Sequence, residues 1–511
     1  MKNILNKIVV LTLFASAFSC TDLAEEPVGL LAPESFFKTA KDVETSIYGA
    51  YGLAASEEYY GRKLSLSLLL RGDMADIGDR KTPARRQQVN DFNMDSNNDM
   101  VTSFWPRSYQ IIAAANVALE GANSLTLGEE VLNPLKAEAM FMRAFVYYHL
   151  VRLFGEVPLV LQPVVDIEAA RTMSKSSVAD IYKLIKEDLE YGKQWLPDTY
   201  SNNLRTRPTK ASAAAYLASM HLTLGDFSEA YKEAKWVIDN EVKFDLNLES
   251  NFQDLFNATK QDKQKEILFA LDFLGLNTGE YNTNQDYLGS VTGPRAVSNG
   301  EDIEEGWSVA VPTMEVFNTW DSRDYRKKVS FMDSGMVKGV WSGYDKFAPN
   351  HGSARPHIAK YFRYPGKSGI NANDADTNVP CMRYAEVLLI AAEALNQTSG
   401  PNAEAEGYIN RIRERARNWD GTIVDFPANV STGLGKAAFH DLVIEERRLE
   451  LAFEFKRWYD IKRLQIGDEV FKGPGSLEPH PTFDATRDYF FPLPQDELDR
   501  NENLKPQNSG Y

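Results

Sequence analysis

The stretch TKASAAAYLASMHLTLGDFSEAYKEAKWVIDN, residues 209–240, constrains the chain more than any other. Thr209 supplies an N-cap oxygen, and the alanine-rich run that follows has high helix propensity and small side chains that let a second helix approach closely. Gly225 and Asp226 then turn the chain, and Phe227 to Ile238 return it antiparallel. A single hairpin of this kind cannot bury its own apolar face, so several must stack.

The rest of the sequence supplies the other pairs. In NPLKAEAMFMRAFVYYHLVRLFG, Asn133 is a candidate cap, Pro134 suits a first turn and Gly155 marks the stop. Leu135, Ala139, Met142, Val146, Leu150 and Leu153 recur at three-and-four spacing, which predicts one buried face. A helix from Val178 to Trp195 carries Val178, Ile181, Ile185 and Leu189 on one stripe. Residues 384–416 repeat the hairpin around a longer turn, and 440–464 reads as a further helical stretch. The G-D-F-x-E-A turn at 225–230 is similar to that of a tetratricopeptide hairpin. The expected fold class is therefore mainly α: a tetratricopeptide-like helical superhelix with long loop-rich insertions.

Those insertions are residues 71–100 and 277–378, rich in Gly, Asn, Asp and Pro with scattered aromatics. Disordered chains are poor in aromatics, and long loops on a rigid scaffold commonly carry binding surfaces. Aromatic residues make up 11% of the chain, an excess that calls for a use.

The N-terminus reads as an export signal. Lys2 and Lys7 precede an apolar run from Ile8 to Phe18 that is too short to span a bilayer. Two cuts are open on local chemistry: after Ala17, in A-S-A, giving a soluble protein, or before Cys20, giving an acylated one. The formal charge of −16, made more negative by loss of Lys2 and Lys7, argues against nucleic acid as a partner. It also disfavours polyanionic substrates unless a local basic patch overrides the mean. Cys20 and Cys381 are the two cysteines, so no internal disulfide is expected, and Cys381 reads as a small packed residue rather than a nucleophile.

Six blocks together resemble the SusD/RagB-type outer-membrane nutrient-binding lipoproteins: 137–160, 207–230, 311–326, 383–395, 445–464 and 490–511. The resemblance implies a SusD-like helical fold and binding of an oligosaccharide or polysaccharide. It also implies a SusC-like TonB-dependent transporter barrel as partner, and attachment to the extracellular face of the outer membrane through a lipid on Cys20. Ala17 departs from the Leu, Ile or Val usual three before such a cysteine. The resulting division is a signal peptide over 1–19, a lipidated cysteine and tether over 20–33, and an N-terminal helical part over 34–270. A loop-rich candidate ligand face follows over 271–380, then a C-terminal helical part over 381–511.

A sugar binder needs flat aromatic rings for C–H faces and polar groups for hydroxyls. The aromatic candidates are Tyr281, Tyr287, Trp307, Trp341 and Tyr344, and the polar ones Asp73, Asp76, Arg80, Arg85 and Asn93. Trp105, Trp320 and Trp458 sit in helical blocks and are expected in the core. Asp374, Asp376 and Asn378 space like the start of a calcium loop, but Val379 replaces the turn glycine and Ala385 the bidentate glutamate. The six histidines form no zinc motif, Arg71-Gly72-Asp73 is a chance adhesion triplet, and no catalytic residue, metal or cofactor is expected. Glu445, Glu446, Arg447, Arg448 and Glu450 read as a solvated or ion-paired helix face. The rival functions are a surface glycoside hydrolase and a peptide- or protein-binding scaffold on the same fold.

Overall fold

A computed structural model describes residues 36–201, 204–276, 286–295, 306–337, 339–347 and 353–511. The fold is mainly α. In chain order its principal helices are α1 (Ala40–Ala54), α2 (Lys63–Leu70), α3 (Ala84–Asn90), α4 (Val101–Ser124), α5 (Glu129–Phe154), α6 (Val178–Trp195), α7 (Lys210–Leu224) and α8 (Phe227–Asp239). The short α9 (Leu288–Thr292) is followed by α10 (Tyr384–Ser399), α11 (Ala403–Ala416), α12 (Lys436–Glu450) and α13 (Arg457–Leu464). Each long helix packs on the next: α1 on α4, α4 on α5, α5 on α6, α6 on α7, α7 on α8, α8 on α10, and α10 on both α11 and α12. That succession is a helical superhelix.

Small strand pairs decorate it. β1 (Ala75–Ile77) runs antiparallel to β3 (Ala310–Pro312), and β2 (Ile267–Leu271) antiparallel to β8 (Val379–Arg383). The second ladder closes the base of everything between, so the chain from 272 to 378 leaves the scaffold and returns beside its exit. Within that excursion β4 (Phe331–Met332) pairs with β7 (His357–Ile358), while β5 (Ser334–Val337) and β6 (Val340–Gly343) form a hairpin.

The 209–240 hairpin is built as its residues predict. Thr209 Oγ1 accepts the Ser212 N–H and Ser212 Oγ accepts the Thr209 N–H, so two end donors are satisfied reciprocally. Gly225 stops α7 in the left-handed conformation at φ +74°, which costs a glycine little, and Asp226 caps α8. Ala211, Ala213, Ala214, Ala215 and Ala218 are all buried, which permits the close helix contacts.

Four expectations need correction. The long helix α5 starts after Gly128 rather than at Asn133: Glu129 and Glu130 occupy its first turn, where carboxylates favour the helix dipole, and Pro134 lies inside. It is buried around most of its circumference, because α4 and α6 sandwich it. Val178 opens α6 but is exposed, whereas Ile181, Ile185 and Leu189 are buried. The 440–464 stretch is not one helix, since the chain breaks after Glu450, where Phe453 (φ +64°) and Phe455 (φ +65°) take left-handed conformations rare for aromatic residues.

The charge run is ion-paired rather than solvated. Glu446, Arg447 and Glu450 are buried, and only Glu445, paired with Arg448, faces solvent. Glu450 and Glu446 belong to an ion network under the insertion. Arg383 pairs with Glu266, with Glu450 at 3.1 Å and with Glu454 at 2.7 Å. Arg415 pairs with Glu266 at 2.8 Å and with Glu450. Arg326 meets Glu446 at 2.6 Å and Asp324 at 2.8 Å, and Lys360 meets Glu454 at 2.7 Å. Burial opposes ionisation of Glu450 and Glu454, but the facing guanidiniums win and hold both carboxyls below the ordinary range. The broken corner between α12 and α13 therefore has a purpose: it places Glu454 where Arg383 and Lys360 converge, while Tyr361 Oη donates to the Phe453 carbonyl at 2.9 Å.

Candidate functional site

The loop-rich face is assembled on the β1–β3 ladder. Asp76 pairs in register with Val311, and just beyond the strand end the Gly78 and Asp79 N–H groups donate to the carbonyls of Val309 and Ser308 at 3.0 and 2.8 Å. This pairing fixes Trp307, one residue upstream, beside the loop that carries Asp79 and Arg80. Its own N–H donates to Ser290 O at 2.6 Å, in the middle of α9. Tyr287 precedes α9 and donates its N–H to Gly61 O at 2.9 Å. The two aromatic side chains are thus held by main-chain bonds from separate segments.

Those bonds bring the rings together, with centroids 5.7 Å apart and planes at 32°. Both are half-buried. The Arg62 guanidinium lies 4.7 Å from the Tyr287 centroid, and that of Arg86, from α3, lies 6.0 Å from the Trp307 centroid. Glu57 pairs with Arg62, and Asp99 receives Lys63 at 2.7 Å and Arg85 at 3.2 Å.

Asp76 organises a second polar set. Its Oδ1 accepts from Arg80 at 2.9 Å, Asn90 at 3.1 Å and the Ile77 N–H at 2.6 Å, and its Oδ2 from Arg355 at 3.2 Å. Arg80 also donates to both oxygens of Asp91 at 2.9 Å, yet its side chain stays half exposed. Nearby, burial and the Asp76 carboxylate push Glu478 up to about 8, against the pull of Arg355 and Arg80. Burial keeps the adjacent His480 neutral, lowered to about 4.

The remaining candidates are dispersed. Asp73 is buried and spent: Arg457 donates to both its oxygens at 2.7 and 2.6 Å, and this pairing overrides burial to hold its carboxyl low. It locks the loop to α13 instead of facing a ligand, a correction to its place in the expected set. Asn93 is exposed, with its N–H given to Gln88 O at 3.1 Å. Trp341 projects from the β5–β6 hairpin with 64% of its surface exposed, and Tyr344 packs on Phe317 at 5.7 Å. Neither makes a ring contact with the Tyr287–Trp307 pair. Tyr281, like Cys20, lies outside the described residues. Trp105, Trp320 and Trp458 are all in the core.

Arg62, Lys63, Arg86, Asp99 and Arg355 were not anticipated. The adjacent cations in GRKLSLS and TPARRQQ were visible, but nothing in the text placed either pair beside Trp307.

Other chemistry finds little support. Burial pushes the Cys381 thiol up to about 12, the opposite of an activated nucleophile. Among the described residues, no group of three or more His, Cys, Asp or Glu side chains could hold a metal. Asp376 and Asn378 instead accept the N–H groups of Gly275 and Phe273 at 3.2 and 3.0 Å, tying down the start of the insertion.

A model of the SusD family matches residues 296–511, and a second one, described as starch-binding and associating with the outer membrane, matches residues 34–222. SusD-like protein P2 of Formosa agariphila is 50% identical over 509 residues, covering 99% of each chain. Among solved structures, a SusD homolog from Bacteroides thetaiotaomicron superposes with a TM-score of 0.82 at 22% identity, over 94% of this chain and 98% of its own. Surface glycan-binding protein A from the same organism, in complex with laminarihexaose, gives 0.76 at 19% identity, over 92% of this chain and 100% of its own.

Proposed function

The chain belongs to the SusD family, and from that membership we propose that it binds glycans at the cell surface and hands them to a TonB-dependent transporter barrel. On this reading Cys20 carries the lipid that anchors the protein to the outer face of the outer membrane. The acidic residues behind it form the tether. The observation that supports glycan binding most strongly is the Tyr287–Trp307 pair, whose half-exposed rings sit beside Arg62 and Arg86. Rings of this kind cover the C–H faces of a sugar, and the guanidiniums meet its oxygens. The Asp76–Arg80–Arg355 set offers further edge contacts on a neighbouring part of the same face.

Glu478 favours one alternative, a surface glycoside hydrolase, because a carboxyl near 8 can act as a general acid. Its neighbour Asp76 is poorly suited to complete the pair, since both oxygens are already engaged by Arg80, Asn90, Arg355 and a main-chain N–H. Calorimetry against a glycan panel, run beside a reducing-end assay, separates the readings. Saturable binding without new reducing ends supports capture; accumulating reducing ends that vanish in Glu478→Gln support hydrolysis.

A further inference from the structure

The cations around the aromatic pair are out of balance with their surroundings. Arg62, Lys63, Arg85 and Arg86 approach one another on a chain whose formal charge is −16. Among the described residues two carboxylates form ion pairs with them: Glu57 takes Arg62, and Asp99 is shared between Lys63 and Arg85.

Arg86 is left over. It is buried, its Nη1 donates to Thr82 Oγ1 at 3.0 Å, and its Nε lies buried without a hydrogen-bond partner. Among the described residues no carboxylate forms an ion pair with it. The Nε of Arg62 is likewise buried and unpartnered. Buried guanidinium nitrogens without a partner also occur on Arg71, Arg415 and Arg447, but each of those side chains has a carboxylate within ion-pair distance, and Arg205, without one, gives bonds to the carbonyls of Gln264, Phe244 and Asp245. Burial and the neighbouring charges of Arg62 and Arg85, against a weaker pull from Glu57, lower Arg86 to about 10, so it stays protonated at neutral pH.

A buried cation without a counter-ion is costly, and an anion brought by a ligand removes that cost. Resting on the glycan-binding reading above, we propose that Arg62, Arg85 and Arg86, with Lys63 behind them, select an oligosaccharide that carries anionic groups. A sulfate ester or a carboxylate would enter the cation cluster while the sugar ring lies against Tyr287 and Trp307. Arg85 is the entry point, its side chain about one-third exposed (32%). Guanidinium suits either anion, since both offer oxygens in its fork geometry.

The test is calorimetry on the intact mature protein with a sulfated carrageenan oligosaccharide, its desulfated counterpart, an oligogalacturonate and neutral laminarihexaose. At least one anionic sugar is expected to bind about tenfold or more tightly than the neutral ones, and to weaken steeply as salt rises from about 50 to about 300 mM. Loss on desulfation identifies the sulfate as the anion, and tight oligogalacturonate binding identifies the carboxylate. Arg86→Gln should lower anionic affinity about tenfold or more and weaken neutral binding by a much smaller factor, so that the preference for the anionic sugar shrinks. The more exposed Arg85→Gln is a second variant less prone to disturb folding, and thermal melts check both. Neutral sugars binding as well as anionic ones, with no response to salt or to either variant, overturn the proposal and leave glycan binding intact. No binding to any sugar overturns the broader reading as well.

Discussion

Two regions of this molecule gather arginines, and they do so on opposite terms. Beneath the insertion, Arg326, Arg383 and Arg415 are each met by at least two carboxylates, and every member of the network is buried. On the loop face, four cations share Glu57 and Asp99, and Arg86 has no described carboxylate. Matched charge fastens the excursion from 272 to 378 onto α12, through Arg326, and onto the corner at Glu454, through Lys360. We propose that the unmatched charge beside the half-buried rings is where a ligand completes the chemistry.

The contrast breaks most readily on the matched side. Arg383→Ala removes one cation from each of three buried carboxylates, Glu266, Glu450 and Glu454, so urea denaturation should register a loss of about 3–5 kcal/mol, while the folded fraction still binds glycan with unchanged affinity. Trp307→Ala should do the reverse, weakening glycan binding about tenfold or more in calorimetry with a much smaller effect on the denaturation midpoint.

The regions should also respond to pH with opposite signs. In the matched interior Arg447 and Arg463 override burial and hold Asp460 down at about 2, with Glu450 and Glu454 lowered in the same way. A depressed folded pKa gives stability that is whole above the unfolded value near 4 and is lost as pH falls towards 2. On the loop face Asp286, beside Tyr287, is pushed up to about 8 by burial, with Asp374 adding to the shift. There the folded state keeps a proton that the unfolded chain has released, so stability falls as pH rises from about 4 to about 8. Asp286→Asn should abolish its own share of that decline in thermal melts between pH 5 and 8, with Glu478 supplying a further share, and leave the acid limb untouched.

The smallest effects test the local reading. Thr209→Ala removes a reciprocal cap and should cost about 1 kcal/mol, whereas Val178→Ser, on an exposed helix start, should stay within about 0.5 kcal/mol. Both are measurable as shifts of the urea midpoint.

That last pair also shows what was legible in the sequence. Where structure is decided within one turn of chain, as at Thr209, Gly225 and Asp226, the residues declare it. The ends of α6 were equally plain. Where tertiary partners decide, they do not: Asn133 has a capping side chain, but Glu129 and Glu130 start the helix earlier, and packing on both sides buries it. The break at Phe453 was hidden because the Glu454 carboxylate that justifies it finds Lys360 and Arg383 far away in sequence. The site divides along the same line. Tyr287, Trp307 and Arg85 were picked out by residue type, and Asp76 and Arg80 do share a cluster. Asp73 carried the right chemistry but is spent on Arg457, and Arg86 gained its meaning only from a ring more than two hundred residues away.

An oligosaccharide-bound crystal structure tests the central claim most directly. The account predicts a sugar ring with its C–H face against Trp307 or Tyr287 and an anionic substituent within hydrogen-bond reach of Arg86 or Arg62. Sugar bound elsewhere, for instance in the groove between α12 and the chain around Pro474, with the Tyr287–Trp307 pair unliganded, would contradict it.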